Sequence, residues 1–514
     1  MSTQSKSTDS TAKTKHTSAK ELISHVLDEG TFVSWDTPPD YGDIDDDYAA
    51  SLSRAREKTG VDESVITGEG LVGGARVAFI VSEFGFLGGS IGAATARRII
   101  ASIHRATHER LPLLISPSSG GTRMQEGTPA FALMVSITTA VYRHKDANLP
   151  FLVYLRNPTT GGVMASWGSA GHFTFAEPNA LLGFLGPRVV ELTTGTPMPE
   201  GVQSGENLAE HGVIDGVVDP DQLRVAVLKI IDVLRPVSST DQPQQPEEPL
   251  RKPEASVWES IERTRNPQRP GARAIVERLS HHLIELSGTG DGRRSPAVTV
   301  ALCRIAGRPV VLIAQNREQQ PPHGTAWLGP EALRFARRGI ALAHELKLPL
   351  VSIIDTPGAE LSQHAEENGM AGSIARTLGE LVDVDVPTVS VILGEGCGGG
   401  ALSMLPADCV LCAEHGWLSP LPPEGASAIM YRDTTHAPAM MERQRVSSWA
   451  LKDVGLVDRL IAERDDAAEE PEAFIQRVVD SVAHALWTLD HEPQRVGREQ
   501  RFRHYEALAD NPDV

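Results

Sequence analysis

At 514 residues the chain is long enough for two hydrophobic cores. Its 40% hydrophobic and 22% charged content is that of a folded globular protein and excludes wholesale disorder. A formal net charge of -19 without a basic patch argues against a nucleic-acid or anionic-membrane surface, and no apolar run is long enough to cross a bilayer. The cytoplasm is therefore the expected location.

Residues 1–20 are rich in Ser, Thr and Lys and read as a disordered tail. A first domain is expected over 21–236. In it the apolar strand LPLLIS (111–116) runs into PSSGG and a helical pattern from Arg123 to about His144, and LPFLVYL then leads into PTTGGVMAS. A Pro-, Gln- and Glu-rich linker follows over 237–254. The second domain, 255–514, repeats the first: LPLVSIID (348–355) runs into TPGA and a helical pattern from Ala365 to Val382, and VPTVSVIL leads into GEGCGGGALS. The spacing repeats as well, since Gly120 to Gly161 and Gly358 to Gly399 are each 41 residues. LAEHGVIDGVVD in the first domain finds LKDVGLVDRL in the second as a closing helix and strand. Short Val, Ile and Leu strands alternating with helices give an α/β fold built by internal duplication. GFLGGSIG (85–92) departs from the dinucleotide fingerprint, and no P-loop occurs.

Each Gly-rich turn follows a strand and opens a helix, so it presents unpaired backbone N–H groups at the positive end of a helix dipole. Two such turns side by side would direct N–H groups from both at one carbonyl oxygen, as an oxyanion site requires. Two copies give two sites, with no Ser-His-Asp set and no matched carboxylate pair beside them. Cys303, Cys397, Cys409 and Cys412 supply a single C-x-x-C without a second ligand pair, so no metal is expected.

The first domain resembles the β subunit of bacterial acetyl-CoA carboxylase carboxyltransferase through LDEGTFVSWD (27–36), FGFLGGSIG (84–92), SSGGTRMQEG (118–127), PTTGGVMASW (158–167) and FLGPRVVE (184–191). The second resembles the α subunit through NPQRPGAR (266–273), IDTPGAE (354–360), AEENGMAGSIAR (365–376), GEGCGGGALS (394–403) and SPLPPEGAS (419–427). The resemblance implies two crotonase-like spiral domains that move a carboxyl group from carboxybiotin to acetyl-CoA, forming malonyl-CoA for fatty-acid synthesis. It implies that Gly120 and Gly121 hold the thioester oxygen and that Gly399, Gly400 and Ala401 polarise the biotin carbonyl. Gly161 and Gly162 would back the first site, and Gly358 and Ala359 the second. The CoA nucleotide would lie near Gly88, Gly89 and Ser90, with Arg97 and Arg98 toward its phosphates.

Carboxybiotin would come from a partner, since no ATP-grasp loop or biotinylation motif occurs, and no cofactor is expected to be covalently held. Biotin carboxylase and biotin carboxyl carrier protein, separate or fused, are the implied partners, together with a homodimer or higher homo-oligomer in which first and second domains face each other. The chain departs from the family in lacking a four-cysteine ribbon over residues 1–40, and at AELSQ (359–363) and NREQQPPHGT (316–325). These departures leave open a propionyl-CoA or longer acyl-CoA substrate, a decarboxylase subunit with a membrane partner, and a non-catalytic scaffold. One expectation is immediate: an avidin blot of the purified chain detects no covalent biotin, and the chain alone releases no phosphate from ATP.

Overall fold

The computed structural model describes residues 17–235, 243–249, 252, 254–319, 328–464, 466–492, 494 and 496–510. The expected tail lies almost wholly outside the described residues, as do much of the linker and residues 320–325 of the 316–325 loop. Among the described residues no helix is long and apolar enough to cross a membrane.

Each half opens with an antiparallel hairpin. Val65–Val72 pairs with Ala75–Ser82 around Gly73 and Gly74, which both take positive φ, and Val298–Ile305 pairs with Arg308–Gln315 around Ala306 and Gly307. The inner strand of each hairpin is almost entirely buried, so it reads as a continuous apolar run instead of an alternating one. A helix then crosses back to a parallel strand. In the first half this helix is Ala93–His108, whose Ala96, Ile99, Ile103 and Ala106 recur at helical spacing and fill the core beneath it. In the second half it is Pro330–Leu346, with Leu333, Ala336, Ile340 and Ala343 in the same role.

Parallel strands continue each sheet. Leu113–Ser116 lies between Ala75–Ser82 and Phe151–Leu155, and Leu350–Thr356 lies between Arg308–Gln315 and Thr388–Cys397. Counterparts stand 237 positions apart: Leu113 pairs with Phe151, and Leu350 pairs with Thr388. The sheets have seven and eight strands. The long helical pattern of the first half is one helix, Gly127–Asp146, whereas that of the second is split into Gln363–Glu367 and Met370–Asp383 at Gly369, which takes φ 76°. The expected closing elements are present as Gly205–Glu210 with Gly216–Val217, and Ser448–Asp453 with Arg459–Ile461.

The halves share one core. The helix Pro220–Leu234 inserts Leu223, Val227 and Ile230 into the cluster that holds Val298, Leu302 and Leu333 of the second half. Beside it, the fully buried Asp215 carboxylate accepts two hydrogen bonds from Arg338, each 2.8 Å, and one each from the N–H groups of Thr174 and Ser287, both 2.9 Å. Removing that carboxylate leaves a part-buried guanidinium without its counter-charge and two amides unpaired. Asp215→Ala is expected to lower unfolding free energy by about 3 kcal/mol or more, read as a shift of the urea midpoint.

Candidate active site

In the first half the strand Leu113–Ser116 ends in a turn at 117–122. Ser119, fully buried, accepts the Gly121 N–H on its Oγ at 3.0 Å and folds the backbone so that Gly121 takes φ 110°. The helix Gly161–Met164 starts against this turn. A Cβ on Gly161 would stand 3.2 Å from Gly120 O, and one on Gly121 would stand 3.4 Å from Gly162 N. The turns therefore touch backbone to backbone. The second half repeats the construction: Thr356 Oγ1 accepts the Gly358 N–H at 3.2 Å, Gly358 takes φ 141°, and a Cβ on Gly400 of the helix Gly398–Leu402 would stand 3.4 Å from Ala359 N.

These contacts set the repeat one residue away from the sequence match. Gly121 corresponds to Gly358, and Gly161, at φ 65°, corresponds to Gly398, at φ 62°. The equal spacing survives, but Gly120 pairs with Pro357 and Gly162 with Gly399. The hydroxyl two residues before each glycine, Ser119 and Thr356, is the sequence signal that fixes this register.

Accounting for the N–H groups corrects the expected donor set. Gly120 N–H donates to Gly88 O at 2.9 Å, Gly121 N–H is taken by Ser119, Gly161 N–H donates to Phe184 O at 2.9 Å, and Gly358 N–H is taken by Thr356. Ala401 is the fourth residue of its helix, the position at which the helical N–H ladder begins. What stays open lies beside these groups. Gly121 O and Arg123 N–H both bond Ile91, so the intervening Thr122 directs its N–H to the opposite side. Ala359 stands in the same relation to Leu328. Neither Thr122 N–H nor Ala359 N–H makes a hydrogen bond among the described residues. Gly162 and Gly399 are each the second residue of their helix, half-buried, with no carbonyl one turn back. Thr122 and Gly162 in the first half, and Ala359 and Gly399 in the second, thus leave one N–H group open on each side of the turn contact. Thr122 was missed in the sequence because its side chain carries no part of the signal.

The surroundings hold these turns with buried charge. Arg123, fully buried, donates to Glu63 at 2.5 and 3.0 Å, to Ser90 O at 2.8 Å and to Ser64 at 3.1 Å. Burial alone would raise the Glu63 pKa, and the guanidinium overrides it, holding the carboxyl below its usual value. The 88–90 loop packs on the turn so closely that a Cβ on Gly89 would come 1.9 Å from Ser118 O. Arg98, assigned to CoA phosphates, is instead buried in bonds to Asp62, Thr37 O and Val65 O, so its charge is already matched. Arg97 is exposed and donates to Asp40 O. In the second half Asp355 and Glu395 end the strands beneath the turns, facing Arg317 and Arg265; burial raises both carboxyl pKa values. Cys397 caps the second turn helix, but burial pushes its thiol up to about 12, which withholds thiolate chemistry. Cys409 and Cys412 are buried on the strand Cys409–Ala413.

Residues 20–496 match the family model for the carboxyl transferase domain. The chain belongs to the carboxyl transferase family. It is 52% identical over 486 residues, 94% of this chain and 97% of the relative, to a probable biotin-dependent acyl-coenzyme A carboxylase beta3 subunit of Mycobacterium tuberculosis. It is 35% identical, over 95% of this chain and 90% of the relative, to the acetyl-coenzyme A carboxylase carboxyl transferase subunits beta/alpha of Salinispora arenicola. Its fold is that of the transcarboxylase 12S crystal structure with methylmalonyl-coenzyme A bound, at TM-score 0.72 and 20% identity over 92% of this chain and 90% of that one. As a carboxyl transferase, the chain should depend on the contact between its turns. Gly161→Ala forces an alanine into φ 65° and against Gly120 O. It is expected to cost roughly 1–2 kcal/mol of stability and at least about 10-fold in carboxyl transfer, read by melting and by initial rates.

Proposed function

We propose that this chain transfers the carboxyl group of carboxybiotin, brought by a partner, to the α-carbon of an acyl-CoA. Two equivalent N–H pairs, one per half, carry this reading. Thr122 and Gly162 hold the thioester oxygen as the enolate forms, and Ala359 and Gly399 polarise the ureido carbonyl of biotin. Carboxybiotin releases CO₂, its ureido nitrogen takes the α-proton of the thioester, and the enolate carbon forms the new bond to CO₂. No side-chain base is needed. The resemblance in sequence points to acetyl-CoA as the acceptor. A propionyl-CoA or longer acyl-CoA acceptor fits at least as well, since the 52% identical relative is named for acyl-CoA without a chain length and the one named for acetyl-CoA is 35% identical. Comparing kcat/KM for acetyl-, propionyl- and long-chain acyl-CoA decides between them, and a chain that binds none of the three by titration calorimetry is a scaffold. With free biotin and malonyl- or methylmalonyl-CoA the chain should run slow reverse transfer.

The partners proposed are biotin carboxylase and a biotin carrier, with at least a head-to-tail dimer of this chain. Exposed apolar side chains flank both turn pairs: Met124, Phe131, Val135 and Phe184 at the first, and Leu361, Leu402, Ile429 and Met430 at the second. A dimer that sets the first half of one copy on the second half of the other covers both patches.

Proline in the first turn of a helix deletes an N–H that has no helical partner. Gly162→Pro and Gly399→Pro should therefore each lower turnover roughly 10²-fold with melting little changed. Mixing the two variants tests the dimer. If sites span two chains, random pairing restores roughly a quarter of wild-type sites, and none return if each site lies within one chain.

A further inference from the structure

Gln315 ends the strand Arg308–Gln315 fully buried beneath the second turn pair. Its Oε1 accepts the Asp355 N–H at 3.1 Å, one residue before the hydroxyl that shapes the first turn of the pair. Its Nε2 donates to Gly400 O at 2.9 Å and contacts Met404 Sδ at 3.3 Å, within and just after the second turn helix. The amide orientation follows from its partners, because a backbone N–H only donates and a carbonyl only accepts.

Gly400 O needs this bond. Ser403 N–H bonds Gly399 O at 3.0 Å, and Met404 N–H bonds Ala401 O at 3.1 Å, so the helix tightens and passes over Gly400 O. Among the described residues only Ser403 Oγ, at 2.9 Å, and Gln315 satisfy it. Ser403 is the C-cap of that same helix and cannot set its distance from the neighbouring turn. Gln315 touches both. At the matching strand end of the first half stands Ser82, whose side-chain oxygen makes no hydrogen bond among the described residues; Arg156 there ties the Ser116 and Ser82 strand ends without reaching the turn helix.

We propose that Gln315 is a positioning residue for the second site, fixing the separation of the Ala359 and Gly399 N–H groups. The proposal rests on the assignment of the second N–H pair to the biotin carbonyl. It predicts an effect on the biotin half of the reaction alone. Gln315→Glu keeps the shape but turns a donor into an acceptor facing Gly400 O, and Gln315→Met removes both polar ends. Reverse transfer from malonyl-CoA to free biotin is expected to lose about 10-fold or more in kcat, with malonyl-CoA affinity by calorimetry within about 2-fold of wild type. Val311→Ala, a cavity in the same strand away from the turns, should lose stability and keep kcat. Amide hydrogen exchange supplies a readout independent of activity: protection across 397–402 should fall in Gln315→Met and hold in Val311→Ala. Exchange unchanged in Gln315→Met overturns the positioning role whatever the rates. Exchange raised while kcat stays within about 2-fold of wild type overturns its bearing on transfer. A wild-type chain that transfers nothing under any acyl-CoA overturns the functional reading instead, and the exchange result still decides what Gln315 holds.

Discussion

The chemistry proposed for this chain depends on two backbones meeting where no side chain fits between them. Gly121 against Gly161, and Gly358 and Ala359 against Gly400, bring backbone from a strand end against backbone of the facing helix. The contact is available only because each strand end is curled by a buried hydroxyl onto its own glycine N–H. The N–H left over stays open, while the facing helix supplies a second N–H that geometry leaves without a carbonyl. Stabilisation of an oxyanion by such groups needs no reorganisation at the moment of reaction, since the donors are fixed by the fold before substrate arrives.

The two copies keep the same backbone on different supports. Under the first pair the charge is closed off: Arg123 is matched by Glu63, and Arg156 lies buried, bonded to Ser116, Ser82 O and Thr17 O with the Glu177 and Glu83 carboxylates near enough to act on its charge. Under the second, Asp355 and Glu395 lie in a chain of carboxylates and guanidiniums that reaches the half-exposed Glu424 through Arg265. Buried ion pairs of this kind add little net stability, because desolvation offsets their attraction, but losing one partner is costly. They fix geometry more than they add to folding energy.

The sequence made the strands, the duplication and the Gly turns legible because each is a local pattern: apolar runs, helical spacing and punctuation by glycine. It also carried the family through motifs that lie on those turns. Donor identity was not legible, since the direction of a peptide N–H is set by a distant partner. Ile91 faces Gly121 and Arg123 and thereby turns Thr122 outward, and Gly88 takes the N–H of Gly120. Arg98 looked free for a phosphate because Asp62 and Thr37 are remote from it in the chain. The one-residue slip in register has the same origin: adjacent glycines are interchangeable in a string of letters and differ only by which carries the hydroxyl's hydrogen bond.

The core that runs from Leu223, Val227 and Ile230 into Val298 and Leu302 also governs how the chain is made. A ribosome emits the helix Pro220–Leu234 well before the hairpin that covers it. At roughly 5–20 residues per second the apolar face stays uncovered for on the order of 10 s. During that interval Leu22 and Val26 of the first half already cover one side of the helix, and the side that meets Val298 and Leu302 waits for its partner. Splitting this protein into two separately translated subunits would replace that brief wait with a diffusive search.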